Sequence, residues 1–164
     1  MSLKIEPIPS HETMFLLPML LDADEGEERI RAVLLDPTCT AYACWLDGQL
    51  AGAAVVRWEK KDPSEILYIE VAAALRGRGY GKQIMQALQD EMRSRGGRSL
   101  LVGTANAALE NIAFYQNAAS ACMRSDATIL RIFSHLCWST GSCFVICWCF
   151  VMTWNDRAAY PCSG

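Results

Sequence analysis

The chain has 164 residues, a net charge of −3 and 52% apolar residues, enough for one domain with a real core. This balance lacks the basic excess of a dedicated nucleic-acid binder, and the longest apolar run, 143–154, is too short to cross a bilayer as a helix. Lys4, Glu6 and Pro7 interrupt any signal-peptide pattern, so the expectation is a cytoplasmic protein that engages neither nucleic acid nor membrane.

In chain order, residues 3–8 alternate weakly and read as a strand. Ser10 is placed as the N-cap of an apolar helix carrying Met14, Phe15, Leu16, Leu17, Met19, Leu20 and Leu21. Asp24 or Glu25 opens a second helix with Ile30, Val33 and Leu34 on one face, stopped by Pro37. Residues 38–46 and 49–58 read as two strands joined at Asp47-Gly48, the strongest hairpin signal in the chain. Residues 65–72 carry apolar side chains on both faces, as a central strand does. An amphipathic helix over 81–95 follows, with Ile84, Leu88 and Met92 four residues apart and Gly96-Gly97 at its end. Residues 99–102 read as a buried strand and 107–117 as a last helix. The pattern predicts an α/β fold: a mixed, mainly antiparallel central sheet with flanking helices.

Between the central strand and the amphipathic helix lies Arg76-Gly77-Arg78-Gly79-Tyr80-Gly81-Lys82. Glycines that let consecutive N–H groups converge, a helix N-terminus and three cations together make an anion site suited to a pyrophosphate. A Walker A loop is excluded, because Gln83 follows Gly81-Lys82 and position 76 is arginine. The Gly77, Gly79, Gly81 spacing and the preceding hairpin do not fit a dinucleotide fingerprint. The pattern [RQ]-x-x-G-x-[GA] is matched in full by Arg76, Gly79 and Gly81.

With that loop, the hairpin, the strand Ile66-Leu67-Tyr68-Ile69-Glu70-Val71, the strand Leu100-Leu101-Val102-Gly103-Thr104 and Ala113-Phe114-Tyr115, the chain over about residues 3–117 resembles the GNAT superfamily of acyl-CoA-dependent N-acyltransferases. The resemblance implies an enzyme that moves an acetyl group from acetyl-CoA to a primary amine, by direct attack in a ternary complex and without a metal. The amine would belong to a small molecule such as a polyamine or to a peptide. It also implies that Arg76, Gly77, Arg78, Gly79, Tyr80, Gly81 and Lys82 hold the pyrophosphate, that the backbone of Ile69, Glu70 and Val71 aligns the pantetheine arm, and that Asn106 contacts the same arm. Tyr115 would protonate the departing thiolate, for which a neutral phenol is suited. Glu65 or Glu70 would take the amine's proton, directly or through water. Their odd spacing places them on opposite faces of a regular strand.

The resemblance stops near Asn117, which divides the domain into a core, 1–117, and an atypical segment, 118–164. From Ala118 onward the chain has no Lys and no Glu, and it gathers Cys122, Cys137, Cys143, Cys147, Cys149 and Cys162. That spacing is not a zinc ribbon's. Regrouping the possible codons by one base turns Ala118 to Met123 into Gly-Phe-Arg-Met-His, and Phe144 to Asp156 into Arg-Asp-Met-Leu-Val-Leu-Arg-Tyr-Asp-Leu-Glu-stop. The tail therefore reads as a frameshifted acyltransferase ending. The expectation is C-terminal strands that are atypical or missing, with 144–146 and 149–152 as candidate substitute strands. An uncovered edge there would favour a homodimer, and catalysis would be impaired in a chain that still binds coenzyme A.

Overall fold

The computed structural model describes residues 3–21, 26–60, 63–105, 128–138 and 144–154, with backbone alone from 103 onward. Seven strands form one sheet: β1 (Lys4–Ile8), β2 (Cys39–Leu46), β3 (Gln49–Arg57), β4 (Ser64–Val71), β5 (Ser99–Ala105), β6 (Thr128–Trp138) and β7 (Phe144–Trp154). Their order is β1-β2-β3-β4-β5-β7-β6. Every neighbouring pair is antiparallel except β4 and β5. The mixed, mainly antiparallel sheet read from the pattern is the one observed.

Helices cover both faces. On one, the helix α3 (Tyr80–Ser94) buries Ile84, Met85, Leu88 and Met92 against Tyr42, Cys44, Ala54, Val56, Ile66, Leu100 and Val102. Burying each of the four contributes roughly 1.5–3 kcal/mol. The helix ends in a Schellman motif: Gly96 has φ 77°, and the N–H groups of Gly96 and Gly97 reach back to the carbonyls of Arg93 and Met92. On the other face a 3-10 turn, Thr13–Leu16, runs into α1 (Leu17–Leu20), and α2 (Glu27–Leu35) packs beside it. Leu16, Leu17, Leu20, Ile30 and Leu34 close over Ala41, Ala43, Ala53 and Val55.

The first helix departs from its expectation. It is a 3-10 turn plus a single α-turn, and its cap position is Glu12, without a side-chain cap bond. The side chain of Ser10 is therefore not the cap; its carbonyl accepts from the Thr13 hydroxyl. That buried hydroxyl also reaches the Leu34 carbonyl at 3.0 Å, which ties this turn to the end of α2. Phe15 and Leu21 stay exposed, because a turn this short can present only one side to the sheet.

The hairpin is as expected. Asp47 and Gly48 both have positive φ, 49° and 81°, as a type I′ turn requires. The tail supplies two strands, β6 and β7, which corrects the expectation that they are missing. Residues 144–146 and 149–152 are not two strands: both lie in the continuous strand β7, which is inserted between β5 and β6. An unbroken apolar run with no turn residue inside it has no reason to fold back. The expected helix over 107–117 lies outside the described residues.

Gly52 has no room for a side chain. A Cβ there would sit 2.7 Å from the Glu70 carbonyl and 3.1 Å from Ile84 Cδ1. Gly52→Ala is expected to destabilise the fold by about 1–3 kcal/mol, read as a lower urea midpoint with an unchanged m-value.

Candidate active site

β4 and β5 pair over only three residues, Ser64↔Leu100, Glu65↔Leu101 and Ile66↔Val102. Beyond that point each strand keeps its outer partner: β4 stays on β3 as far as Gly52↔Val71, and β5 stays on β7 as far as Ala105↔Cys147. The two inner edges part into a wedge, with backbone groups unclaimed by any strand. The irregularity that marks the parting lies in β4. Val55 faces Tyr68 and Val56 faces Ile66, so Leu67 is an extra residue, a β-bulge.

The bulge has two consequences. First, the Ala72 N–H donates to the Ala51 carbonyl at 2.9 Å. In an antiparallel ladder alternate residues bond to the same neighbour, so Ile69 and Val71 turn their N–H and C=O groups into the wedge. Second, Glu65 and Glu70 lie on the same face of the sheet, which corrects the expectation of opposite faces. Glu65 stands across from Arg57 and Glu70 across from Ala53; these partners are four residues apart on β3 and share the face of Val55, the side covered by α1 and α2. Ile66 and Ile69 both contact the α3-side core, an odd spacing that only an inserted residue permits. The alternation rule assumed a regular strand, and the sequence carries no glycine or proline at Leu67 to announce the bulge.

The glycine-rich loop follows β4 directly. A short 3-10 turn, Ala73–Leu75, leads into Gly77 (φ 76°) and Gly79 (φ 85°), conformations that side chains rarely adopt. Gly79 sits at the N-cap of α3, with no side-chain cap. The helix makes its first internal bond from the Gln83 N–H to the Gly79 carbonyl, at 3.3 Å. The amides of Gly77 through Lys82 are thus left open at a positive helix end. Arg78 and Lys82 are exposed beside them, with no acidic partner among the described residues. Tyr80 and Gly81 are half-buried in the first turn. The geometry suits a pyrophosphate at the loop and an extended, amide-bearing arm along the β4 edge, which would pair as an added strand does.

The carboxylates differ in their company. Glu70 Oε1 accepts from the Val71 N–H (3.0 Å) and from Arg76 Nη2 (2.7 Å). Glu65 Oε2 takes only a longer bond from Arg57, 3.4 Å, and Arg57 also faces Asp36 at 3.9 Å. Cysteine nucleophiles find no support among the described residues. Burial pushes the Cys44 thiol up to about 12, and burial, followed by the nearby Asp36, raises that of Cys39, so neither is a thiolate at neutral pH. No cluster of three metal-ligating side chains occurs among the described residues, and no helix among them is long and apolar enough to cross a membrane. Asn106 and Tyr115 lie outside the described residues.

Comparison with known proteins places this arrangement. One curated relative, an uncharacterized N-acetyltransferase, YvbK, of Bacillus subtilis (strain 168), is 28% identical over 101 residues, which are 62% of this chain and 64% of that protein. The match thus spans under two thirds of the relative's length. Among solved structures, the IAA acetyltransferase of Bacillus cereus ATCC 14579 has a TM-score of 0.73 at 24% identity, covering 93% of this chain and 99% of that one. A Bacillus subtilis acetyltransferase in complex with CoA has 0.72 at 20%, covering 94% and 100%. A GNAT family acetyltransferase from Elizabethkingia anophelis with acetyl-CoA bound also has 0.72 at 20%, covering 92% and 97%. At these identities the structural likenesses speak for the fold. The family model described as Acetyltransferase (GNAT) family matches residues 8–119, more than half of the chain, and the protein therefore belongs to the GNAT acetyltransferase family.

Proposed function

We propose that the protein is an N-acetyltransferase that passes an acetyl group from acetyl-CoA to a primary amine within a ternary complex. The observation that carries this reading is the wedge between β4 and β5, opening beside a loop whose amides, flanked by the exposed Arg78 and Lys82, suit a pyrophosphate. The donor's thioester supplies an activated acyl carbon. The protein's part is to place that carbon and the amine together and to manage two protons.

In this reading the amides from Gly77 to Lys82, with the Arg78 and Lys82 charges, anchor the pyrophosphate, while Arg76 is held by Glu70 and the Val71 carbonyl. The β4 edge at Ile69 aligns the arm, and Asn106 contacts it. The amine reaches the acyl carbon from the α1/α2 face, where both carboxylates lie. Glu65 is the better-placed base, because its single long bond to Arg57 leaves it open to a proton, directly or through water. As the amine nitrogen bonds to the acyl carbon, the C–S bond breaks, and Tyr115 gives its proton to the sulfur. Carboxylates on the acceptor side favour a cationic acceptor, either a small amine such as a polyamine or a peptide amine.

A second reading is a coenzyme A binder with little turnover. It is favoured by the tail, whose Cys- and Trp-rich strands β6 and β7 replace the ending that the shifted frame would encode. The two readings part on one comparison, because both require donor binding and only the first requires thiol release with an amine.

Acetyl-CoA at about 100 times its Kd is expected to stabilise the protein by roughly 2.7 kcal/mol in thermal unfolding; no shift would reject the donor site. Replacing Arg78 and Lys82 together by alanine is expected to weaken that binding about tenfold or more, and to make it less sensitive to salt. In an amine panel followed by thiol release, Glu65→Gln is expected to lower kcat by about 10²–10⁴-fold. Tyr115→Phe is expected to lower kcat at every pH with little change in donor binding.

A further inference from the structure

Glu70 has no task in this scheme, yet it is the more constrained of the two carboxylates. A charged group within a central strand is costly without partners, and only 12% of the Glu70 side chain is exposed. Its Oε1 accepts from the Val71 N–H and from Arg76 Nη2, while Arg76 Nε donates to the Val71 carbonyl at 3.1 Å. Both backbone groups that Val71 turns into the wedge are thus held, one by each member of an ion pair. Val71 is the last residue of β4, and Arg76 opens the loop. The result is a closed ring of hydrogen bonds joining the strand edge to the anion loop. Across the sheet, a Cβ at position 52 would come within 2.7 Å of the Glu70 carbonyl, so a glycine there lets the strands approach at this end of β4.

We propose that Glu70 is a positioning residue for the anion loop: its carboxylate fixes the Arg76 guanidinium on the end of β4, which sets the distance between the loop amides and the wedge. The inference rests on the reading of that loop as the pyrophosphate site. Arg76 is half exposed, so as a bare ion pair the contact would contribute little. Its strength lies in geometry, since the guanidinium bonds a carboxylate and a backbone carbonyl at once. A device of this kind acts on donor binding, because it holds two halves of one site in register; it has no part in the proton transfer. Oε1 is already engaged by two donors, the Val71 N–H and the Arg76 guanidinium.

The test uses the full chain, with acetyl-CoA titrated by calorimetry and donor kinetics measured at saturating amine. Glu70→Ala and Arg76→Ala are each expected to weaken acetyl-CoA binding and raise its KM about five- to tenfold, with kcat at saturating donor within about twofold of the parent. The double variant is expected to be no weaker than the weaker single one, as for two residues acting as a unit. Glu70→Gln keeps an acceptor oxygen and is expected to recover part of the loss. It also serves if the alanine variant does not fold, with faster amide exchange at Val71 as the accompanying signature. Unchanged donor binding in Glu70→Ala overturns the inference alone. A kcat fallen a hundredfold or more at unchanged KM, in Glu70→Gln as much as in Glu70→Ala, overturns it in favour of a base. Failure of the parent protein to bind acetyl-CoA removes the loop reading and this inference together.

Discussion

The site depends on one constraint in the sheet: two parallel neighbours that bond to each other over three residues and then cannot continue. β4 and β5 are each fastened on the outer side for their full length, so neither is free to follow the other. The gap is therefore a fixed feature and needs no ligand to hold it open. Unpaired main-chain groups are costly when buried and are satisfied in solvent or by a ligand. A wedge of this kind keeps its polar edge wet until something extended and amide-bearing fills it. The loop stands at the wide end because it is the direct continuation of β4, and α3 stands behind the loop because its apolar stripe has a core to enter. Strand, loop and helix are three consecutive segments of chain, which is why the geometry needs so little long-range support.

Much of this was legible in the sequence. The strand-loop-helix order, the Asp47-Gly48 turn and the Ile84, Leu88, Met92 stripe are local patterns with local causes, and each appears where its residues predict it. Two features were not legible. The first helix looks long because it is apolar throughout, yet only Leu16, Leu17 and Leu20 of its apolar residues are buried, and Thr13 secures it through a bond to a residue 21 positions away. The shared face of Glu65 and Glu70 depends on a bulge at Leu67, an ordinary strand residue. Its extra position arises from pairing with β3, and pairing cannot be read from one strand alone.

The partner of Glu70 lies between these cases. A carboxylate at that position called for a counter-charge, and the sequence offered several cations within a few residues. Arg76 answers because the 3-10 turn at Ala73–Leu75 folds the chain back by just enough to bring its guanidinium beside Val71. Arg78, two residues later and beyond Gly77, stays in solvent. The motif's first arginine thus does a different kind of work from the cations that follow it, a distinction invisible in the pattern [RQ]-x-x-G-x-[GA].

The placement of β7 has a consequence for how the chain comes together. β7 is synthesised after β6 yet lies inside it, between β5 and β6. While β7 is still being made, β6 has no partner, and the outer edge of β5 is bare. Eleven residues of apolar strand then have to insert between two waiting neighbours, a non-local step that ought to come late and slowly. Until it occurs, the half-finished sheet offers open edges to other nascent chains, and β7 itself is rich in residues that stick to such edges. Yield in the cell should therefore depend on dilution and chaperone supply during that interval, more than on the stability of the finished fold.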